Sequence, residues 1–318
     1  MGQVVSNDVT AIIPEIWSSA VQEPLYKSLV ALEVANTRLK DQLSFGDTIH
    51  VPYMGDLSAQ TYVPGAMISA TNLDWSYDTL VVSTYKQCSF YIDKVEDLQA
   101  NVEQIRPLAE EAGYRLKDAI DQHVFQNITG ADGGTQVSDD DMRTGGVDAR
   151  PVSATSGHII ELFSKARQNL REANAIEAGD WCAVVTPMVA QRIEIKATSV
   201  GYNVADSTLR NGYVGDFMGF QVYISNNLPS GKCSTVSNNE LSTGPTSATS
   251  CRSLYFGKKG AIDLVMQKAP TLTIRPCEDK LGSNFITWTV YGSAVFTKNR
   301  SRFLNVAMDI TTSGNAGG

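Results

Sequence analysis

Residues 101–130, NVEQIRPLAEEAGYRLKDAIDQHVFQNITG, carry an uninterrupted helical period that also takes in the residue three positions upstream. Leu98, Val102, Ile105, Ala109, Ala112, Leu116 and Ala119 step by four, three, four, three, four and three, while Leu108, Ile120, Val124 and Ile128 widen the stripe. The pattern predicts one long amphipathic helix. Pro107 lacks the N–H that a helix interior needs, so the helix is expected to start there, and Gly130 to stop it in a left-handed conformation. From Pro107 to Ile128 a rise of about 1.5 Å per residue gives roughly 33 Å, enough to cross a domain. The core helix of an enzyme would satisfy the same pattern, so the surroundings have to decide its role.

Upstream, residues 1–44 read as an arm with helical pieces: Pro14 is placed to open a helix, and Pro24 interrupts the pattern before LYKSLVALEVANTRL resumes it. Its apolar residues are too few for a free-standing domain, so it needs another surface to lie on. From Phe45 to Ile92 the signal changes to strand. Leu80, Val82, Thr84, Lys86, Cys88, Phe90 and Ile92 alternate on one face, and Pro52, Gly55, Pro64 and Gly65 punctuate turns between the two legs. A two-stranded excursion follows, with legs of roughly 15 residues reaching on the order of 50 Å. Such a hairpin is marginal alone in water. Its tip still carries Tyr62, Val63, Pro64, Met67, Ile68, Leu73 and Trp75, which are expected to be buried against something else, such as a neighbouring copy.

Downstream of the helix, residues 131–153 read as a Gly- and Asp-rich loop without secondary structure of its own. A helix with Ile160, Phe163, Ala166 and Leu170 on one face, the apolar strand WCAVVTP and a helix opened by Pro187 form a small α/β layer. Gly219 to Ser225 reads as a strand entered through a glycine turn and left at Asn226-Asn227. A polar, nearly uncharged insertion lies near 230–252. The segments TLTIRP and NFITWTVYGSAVF then predict an antiparallel pair, and TTSGNAGG a loose tail.

Composition narrows the function. With 318 residues, 42% apolar and 19% charged, the chain is ordinary for a globular protein of about two domains, and no apolar run approaches a membrane span. The N-terminus has no secretory n-region or h-region, and five cysteines without a CxxC pair predict reduced thiols, although Cys233 and Cys251 could close the insertion. Residues 1–160 hold 22 acidic and 10 basic side chains and residues 161–318 hold 12 and 16, giving −12 and +4. A basic nucleic-acid reader is excluded by that balance. The opposite halves attract each other, within one fold or head-to-tail between subunits.

Chemistry is sparse. His50, His123 and His158 each stand alone in a different element, no HExxH or paired CxxC occurs, and Asp139, Asp140 and Asp141 lack the spacing of a calcium loop. Gly231-Lys232-Cys233 approaches the end of a P-loop, but Asn226 occupies the position of its first glycine. No catalytic residue, cofactor or metal site is therefore expected. The remaining enzyme reading is a metal-assisted hydrolase built on Asp132, Asp139 to Asp141 and His158.

The order of parts resembles the major capsid proteins of tailed bacteriophages, the Hong Kong 97 or Johnson fold. The resemblance lies in IPEIWSSAVQEPLYKSLV (13–30), AGYRLKDAIDQHVF (112–125) and GDFMGFQVYISNNLP (215–229), and above all in their sequence order. It implies an α+β fold: an N-arm (1–44), an extended E-loop hairpin with its base strands (45–95), a spine helix and following loop of the P-domain (96–150), an A-domain (151–268) and C-terminal P-domain strands with a tail (269–318). It further implies many copies of the chain as pentamers and hexamers in an icosahedral virion assembled in the host cytoplasm. The implied partners are a portal protein, packaged double-stranded DNA held by proximity, and possible separate scaffolding and cement proteins, with no membrane. Ile16, Trp17, Leu25 and Tyr26 would make arm contacts; Val214, Asp216, Phe217, Met218, Asn226, Asn227 and Leu228 would crowd the capsomer centre. The founding member of the family cross-links its subunits through an E-loop lysine, yet no lysine lies between Lys40 and Lys86 here, so the shell is expected to be non-covalent. An encapsulin-type cellular compartment is the competing shell reading.

Overall fold

A computed structural model describes residues 26–309 apart from 28, 44, 58, 62–63, 66, 68–73, 100–104, 130–134, 138–151, 154–155, 176–180, 201–214, 231–250 and 278–279. The helices are α1 (Ala31–Val34), α2 (Lys94–Gln99), α3 (Ile105–Gln126), α4 (Ser156–Glu172) and α5 (Pro187–Val200). The strands are β1 (Thr48–Met54), β2 (Trp75–Val81), β3 (Thr84–Asp93), β4 (Thr135–Val137), β5 (Val152–Ser153), β6 (Trp181–Val185), β7 (Asp216–Phe217), β8 (Phe220–Ile224), β9 (Cys251–Lys258), β10 (Asp263–Pro276), β11 (Gly282–Ala294) and β12 (Phe303–Asp309).

They make three sheets. β1 and β2 pair antiparallel as a hairpin; β10, β11 and β3 form a three-stranded sheet; β4, β12, β9, β6, β8 and β7 run side by side in a larger sheet, with β5 also against β12. The larger sheet is the centre of the main core. All five residues of β6 are buried, and α4 lays Ile159, Leu162, Phe163, Ala166 and Leu170 into the same cluster. Phe163 meets Phe217, Phe220 and Phe256 edge to face at 4.9, 5.7 and 4.9 Å, the arrangement aromatic quadrupoles favour.

The long helix is present as α3, 22 residues or about 33 Å. Its described start at Ile105 puts Pro107 third, still within the first turn, where the backbone N–H would have had no intrahelical partner. Regular helix ends at Gln126, and three short turns carry the chain through Asn127, Ile128 and Thr129. The buried stripe is narrower than the sequence period suggested. Leu98 belongs to α2 and is exposed, Leu108 is exposed, and the fully enclosed positions are Ala112, Leu116, Ile120, Val124 and Phe125 together with two aspartates, Asp118 and Asp121.

Two expectations are corrected. The alternating run from Leu80 to Ile92 is two strands: β2 leaves the hairpin at Val81, Val82 donates to the Asp47 carbonyl at 2.7 Å, and β3 joins another sheet. The crossing is so close that a Cβ on Gly292 of β11 would collide with the Val81 carbonyl and the Val82 backbone, which is why glycine stands there. The stretch 131–153 is not a bare loop, because β4 and β5 both pair parallel with β12. Residues 303–309, assigned no strand pairing from the sequence, form β12, a strand inside the larger sheet, antiparallel to β9. In the arm, the described helical pieces are Ala31–Val34 and a 3-10 turn at Lys40–Gln42.

Candidate functional site

The hairpin has two faces of different character. In its register Ile49 lies opposite Leu80 and Val51 opposite Asp78, on the face turned to the protein. Ile49 and Leu80 join Leu43, Val82, Val265 and Val290 in a second, smaller core at the hairpin's base. Two further contacts hold the hairpin to the body: the Asp78 carboxylate accepts from the Thr297 backbone N–H at 2.6 Å and its hydroxyl at 2.7 Å, and beyond the end of β1 Lys298 Nζ pairs with Asp56 at 2.7 Å. The Lys298 hydrogen bond and charge hold the exposed Asp56 carboxyl below its ordinary pKa.

On the opposite face Met54 pairs with Trp75, Pro52 with Tyr77 and Thr48 with Val81. Trp75 is 68% exposed and Tyr77 64%, with Met54 and Val81 also open to solvent. Beyond them Leu57 is exposed and Met67 is 99% exposed. A contiguous apolar stripe rich in Trp, Tyr and Met on a strand pair has the composition of a protein–protein contact. Of the expected tip residues, Pro64, Met67 and Trp75 are exposed; Tyr62, Val63, Ile68 and Leu73 lie outside the described residues.

A buried polar junction ties the arm to α3 and to the strand end after β8. Asp121 accepts from the backbone N–H groups of Val30 at 2.9 Å and Ala31 at 2.7 Å, capping α1, and from Asn227 Nδ2 at 2.9 Å. Asn227 Nδ2 also donates to Asp118 at 2.6 Å, and Lys27 Nζ stands 3.1 Å from Asn227 Oδ1 and 3.6 Å from Asp118. Burial raises the pKa of Asp121, opposed by its hydrogen-bond donors. Every carboxylate oxygen here faces a donor of the chain itself, and among the described residues no group of three His, Cys, Asp or Glu side chains is placed to hold a metal. Sequence periodicity passed over Asp118 and Asp121; their only signal was a pair of carboxylates three apart beside the apolar stripe.

The arm meets the body a second time. Asn36 bridges to Asp263 at the start of β10, its side-chain amide donating at 2.6 Å, while Asn299 Nδ2 donates to the other oxygen at 3.2 Å. Burial dominates and lifts the Asp263 pKa to about 6.

The other expected positions divide. Phe217, Asn227 and Leu228 are buried within the subunit and are removed from the set of capsomer-centre contacts: the two-residue turn at Met218 and Gly219, both at positive φ, folds β7 back on β8 and turns Phe217 inward, and Asn227 is consumed by the aspartates. Asp216 and Asn226 are exposed and Met218 half-buried, whereas Val214 lies outside the described residues. Ile16, Trp17 and Leu25 also lie outside them; Tyr26 stacks on Tyr114 of α3 with ring centres 4.2 Å apart. The base of the polar insertion is clasped where Ser230 bridges Arg252, whose guanidinium donates to the Ser230 hydroxyl at 2.9 Å; Cys233 is outside the described residues. Asp132 and Asp139 to Asp141 are outside them too, and His158 belongs to α4. His123 packs edge-on against Tyr291 at 5.2 Å, and burial, with Lys86 nearby, lowers its pKa, so it is neutral at pH 7 and structural.

No family model and no curated protein sequence matches the chain. Solved structures do. A protein of Mycobacterium phage Che8 superposes with a TM-score of 0.70 at 18% identity, covering 97% of this chain and 99% of that one. The capsid of the cyanophage P-SCSP1u gives 0.71 at 16% identity over 96% of both chains, and the mature capsid of bacteriophage PhiM1 gives 0.65 at 12% over 95% and 93%. The fold is the Hong Kong 97 capsid fold. The match covers nearly the full length of both chains, so the capsid fold takes in the hairpin, α3 and the larger sheet as one unit. At these identities it is the topology and not the wording of the chain that is shared.

Proposed function

We propose that this chain is the major capsid protein of a tailed bacteriophage. Many copies assemble into pentamers and hexamers and close an icosahedral head around double-stranded DNA, and the protein's work is mechanical, with no catalytic role. The observation that carries the reading is the outward stripe Met54, Trp75, Tyr77 and Val81: a fold shared end to end with phage capsids leaves an aromatic strand face uncovered within the subunit. In this reading the hairpin is the E-loop, and Tyr62, Val63, Pro64, Met67, Ile68, Leu73 and Trp75 lie on the adjacent subunit. α3 is the spine helix. Val214, Asp216, Met218 and Asn226 face the capsomer centre, and Ile16, Trp17 and Leu25 extend the arm beyond Tyr26. Identical subunits joined by heterologous contacts generate rings, and rings joined to rings close a shell.

The shell is non-covalent, since the E-loop has no lysine, and it takes a portal protein as partner, with any scaffold or cement protein a separate polypeptide, in a virion assembled in the host cytoplasm. The test is expression of the full chain, with and without a scaffold, followed by light scattering and negative-stain microscopy. Closed shells of uniform size are expected. A chain that stays monomeric at high concentration in both settings overturns the proposal, and particles from the native source that hold protein cargo without a phage genome point to a cellular compartment.

A further inference from the structure

Asp263, the first residue of β10, is 2% exposed, and two separate parts of the chain are fastened to the body at its carboxylate. Oδ1 accepts from Asn36 Nδ2 in the arm at 2.6 Å, and Oδ2 accepts from Asn299 Nδ2 at 3.2 Å. The backbone closes around the first contact. Asn36 N–H donates to the Ile262 carbonyl at 2.8 Å, Leu264 N–H to the Asn36 carbonyl at 2.9 Å and Gly260 N–H to the Val34 carbonyl at 2.7 Å. Before Asn36 the arm buries Val30, Ala31, Val34 and Ala35 in the main core, and after it Leu43 enters the smaller core at the hairpin's base. The second fastening belongs to the 3-10 turn Thr297–Arg302. Its first three residues grip in succession Asp78 of the hairpin, Asp56 just beyond β1, and Asp263. One carboxylate thus ties the arm to the turn that holds the hairpin.

Both donors to Asp263 are neutral amides. Arg302 and Arg38 act on the carboxylate through their charge, yet among the described residues no basic side chain pairs with it: Arg302 Nη1 donates to Asn299 Oδ1 at 2.9 Å, Lys298 is engaged by Asp56, and Lys259 stands over the Tyr223 ring. An ionised carboxylate is therefore enclosed here without a contacting cation, which costs more than enclosing the neutral acid. Burial, opposed by the two amides and the two arginine charges, is what lifts the pKa to about 6.

We propose that Asp263 is a proton-operated joint: with its carboxyl neutral it clamps the arm and the hairpin-bearing turn to β10, and when ionised it lets that seat open. The joint belongs to the single subunit and is independent of the shell reading. Its sign follows from linkage. An opened seat exposes Asp263 to water, where the ordinary value of 3.8 applies, so between 3.8 and about 6 the closed seat holds a proton that the open one has lost. Opening therefore becomes easier as pH rises through that window. With those two values the opening equilibrium grows about fiftyfold between pH 4 and pH 7.

Amide hydrogen exchange of the full chain, read by mass spectrometry and corrected at each pH for the intrinsic rate, tests the joint. Protection of the Asn36, Gly260 and Leu264 amides should fall about fiftyfold between pH 4 and pH 7, and the Thr297 amide, bonded to Asp78, should fall with them. Ser225 N–H, bonded to the Val185 carbonyl at 3.0 Å in the larger sheet, should stay better protected than the seat at pH 7, which marks the opening as local. Equal protection at both places, or a seat whose protection does not change with pH, overturns the proposal. A seat that opens while Thr297 stays protected overturns the coupling to the hairpin. Asp263→Asn keeps the position neutral and should hold the seat at its acid-state protection at pH 7; a fall that survives in this variant contradicts the proposal. Arg38→Gln with Arg302→Gln leaves the carboxyl in place and withdraws the two charges that favour its ionisation. The fall should then move to higher pH, and a fall at the parent pH is the contrary result.

Discussion

The larger sheet and the hairpin are both built from short strands, yet they use their side chains in opposite ways. In the sheet, β6 buries all five residues, and the aromatic rings of Phe163, Phe217, Phe220 and Phe256 find partners within the subunit. In the hairpin, Ile49 and Leu80 are enclosed while Met54, Trp75 and Tyr77 on the other face are exposed, the Tyr77 ring packing edge to face against His50 of the same hairpin. The difference separates what stabilises a subunit from what it offers to another. Substitutions in the sheet should be read in folding, and substitutions on the hairpin's outer face in assembly.

The largest expected effect lies in the core between α4 and the larger sheet. Phe163→Ala removes a ring that touches three others and should cost about 3–5 kcal/mol in chemical unfolding, with the soluble yield falling accordingly. A loss below about 1 kcal/mol would mean that the cluster does not hold the core. Next comes the polar junction. Asp121→Ala strands the Val30 and Ala31 N–H groups and one Asn227 bond in a buried place, which predicts a loss of about 2–4 kcal/mol and faster amide exchange at Val30 and Ala31.

A smaller, pH-dependent effect belongs to Asp263. Its folded pKa of about 6 exceeds the ordinary aspartate value of 3.8, so between these values the folded chain holds a proton that the unfolded chain has lost. Stability contributed at this site is therefore greatest at low pH and declines, by on the order of 2 kcal/mol, as pH rises from about 4 to 6. Asp263→Asn should flatten that slope while keeping the Asn36 contact; an unchanged pH profile would show that Asp263 titrates normally.

How much of this was legible in the sequence follows from the range over which each feature is encoded. The long helix, the paired C-terminal strands and the hairpin announce themselves through local periods, and all three are present. The junction is not local. Asp121 meets residues about 90 positions before it and 106 after it, and Asp118 looks like an ordinary exposed helix residue until Asn227 arrives. The same holds for β12, whose place depends on β9, β4 and β5 together, and for the break at Val82, which is set by Gly292 more than 200 residues away. Phe217 faces inward because a two-residue turn decides which way β7 faces, a choice that no local period encodes.

The smallest effect on folding is expected where the effect on function is greatest. Trp75→Ala combined with Tyr77→Ala on the outer face of the hairpin should shift the subunit's unfolding free energy by less than about 0.5 kcal/mol, because neither ring is buried within the subunit. The decisive measurement is particle yield by light scattering and negative-stain microscopy for that double variant, alongside its unfolding curve. The account predicts an unchanged curve and no stable shells; an unchanged curve with shells at the parent yield would contradict it.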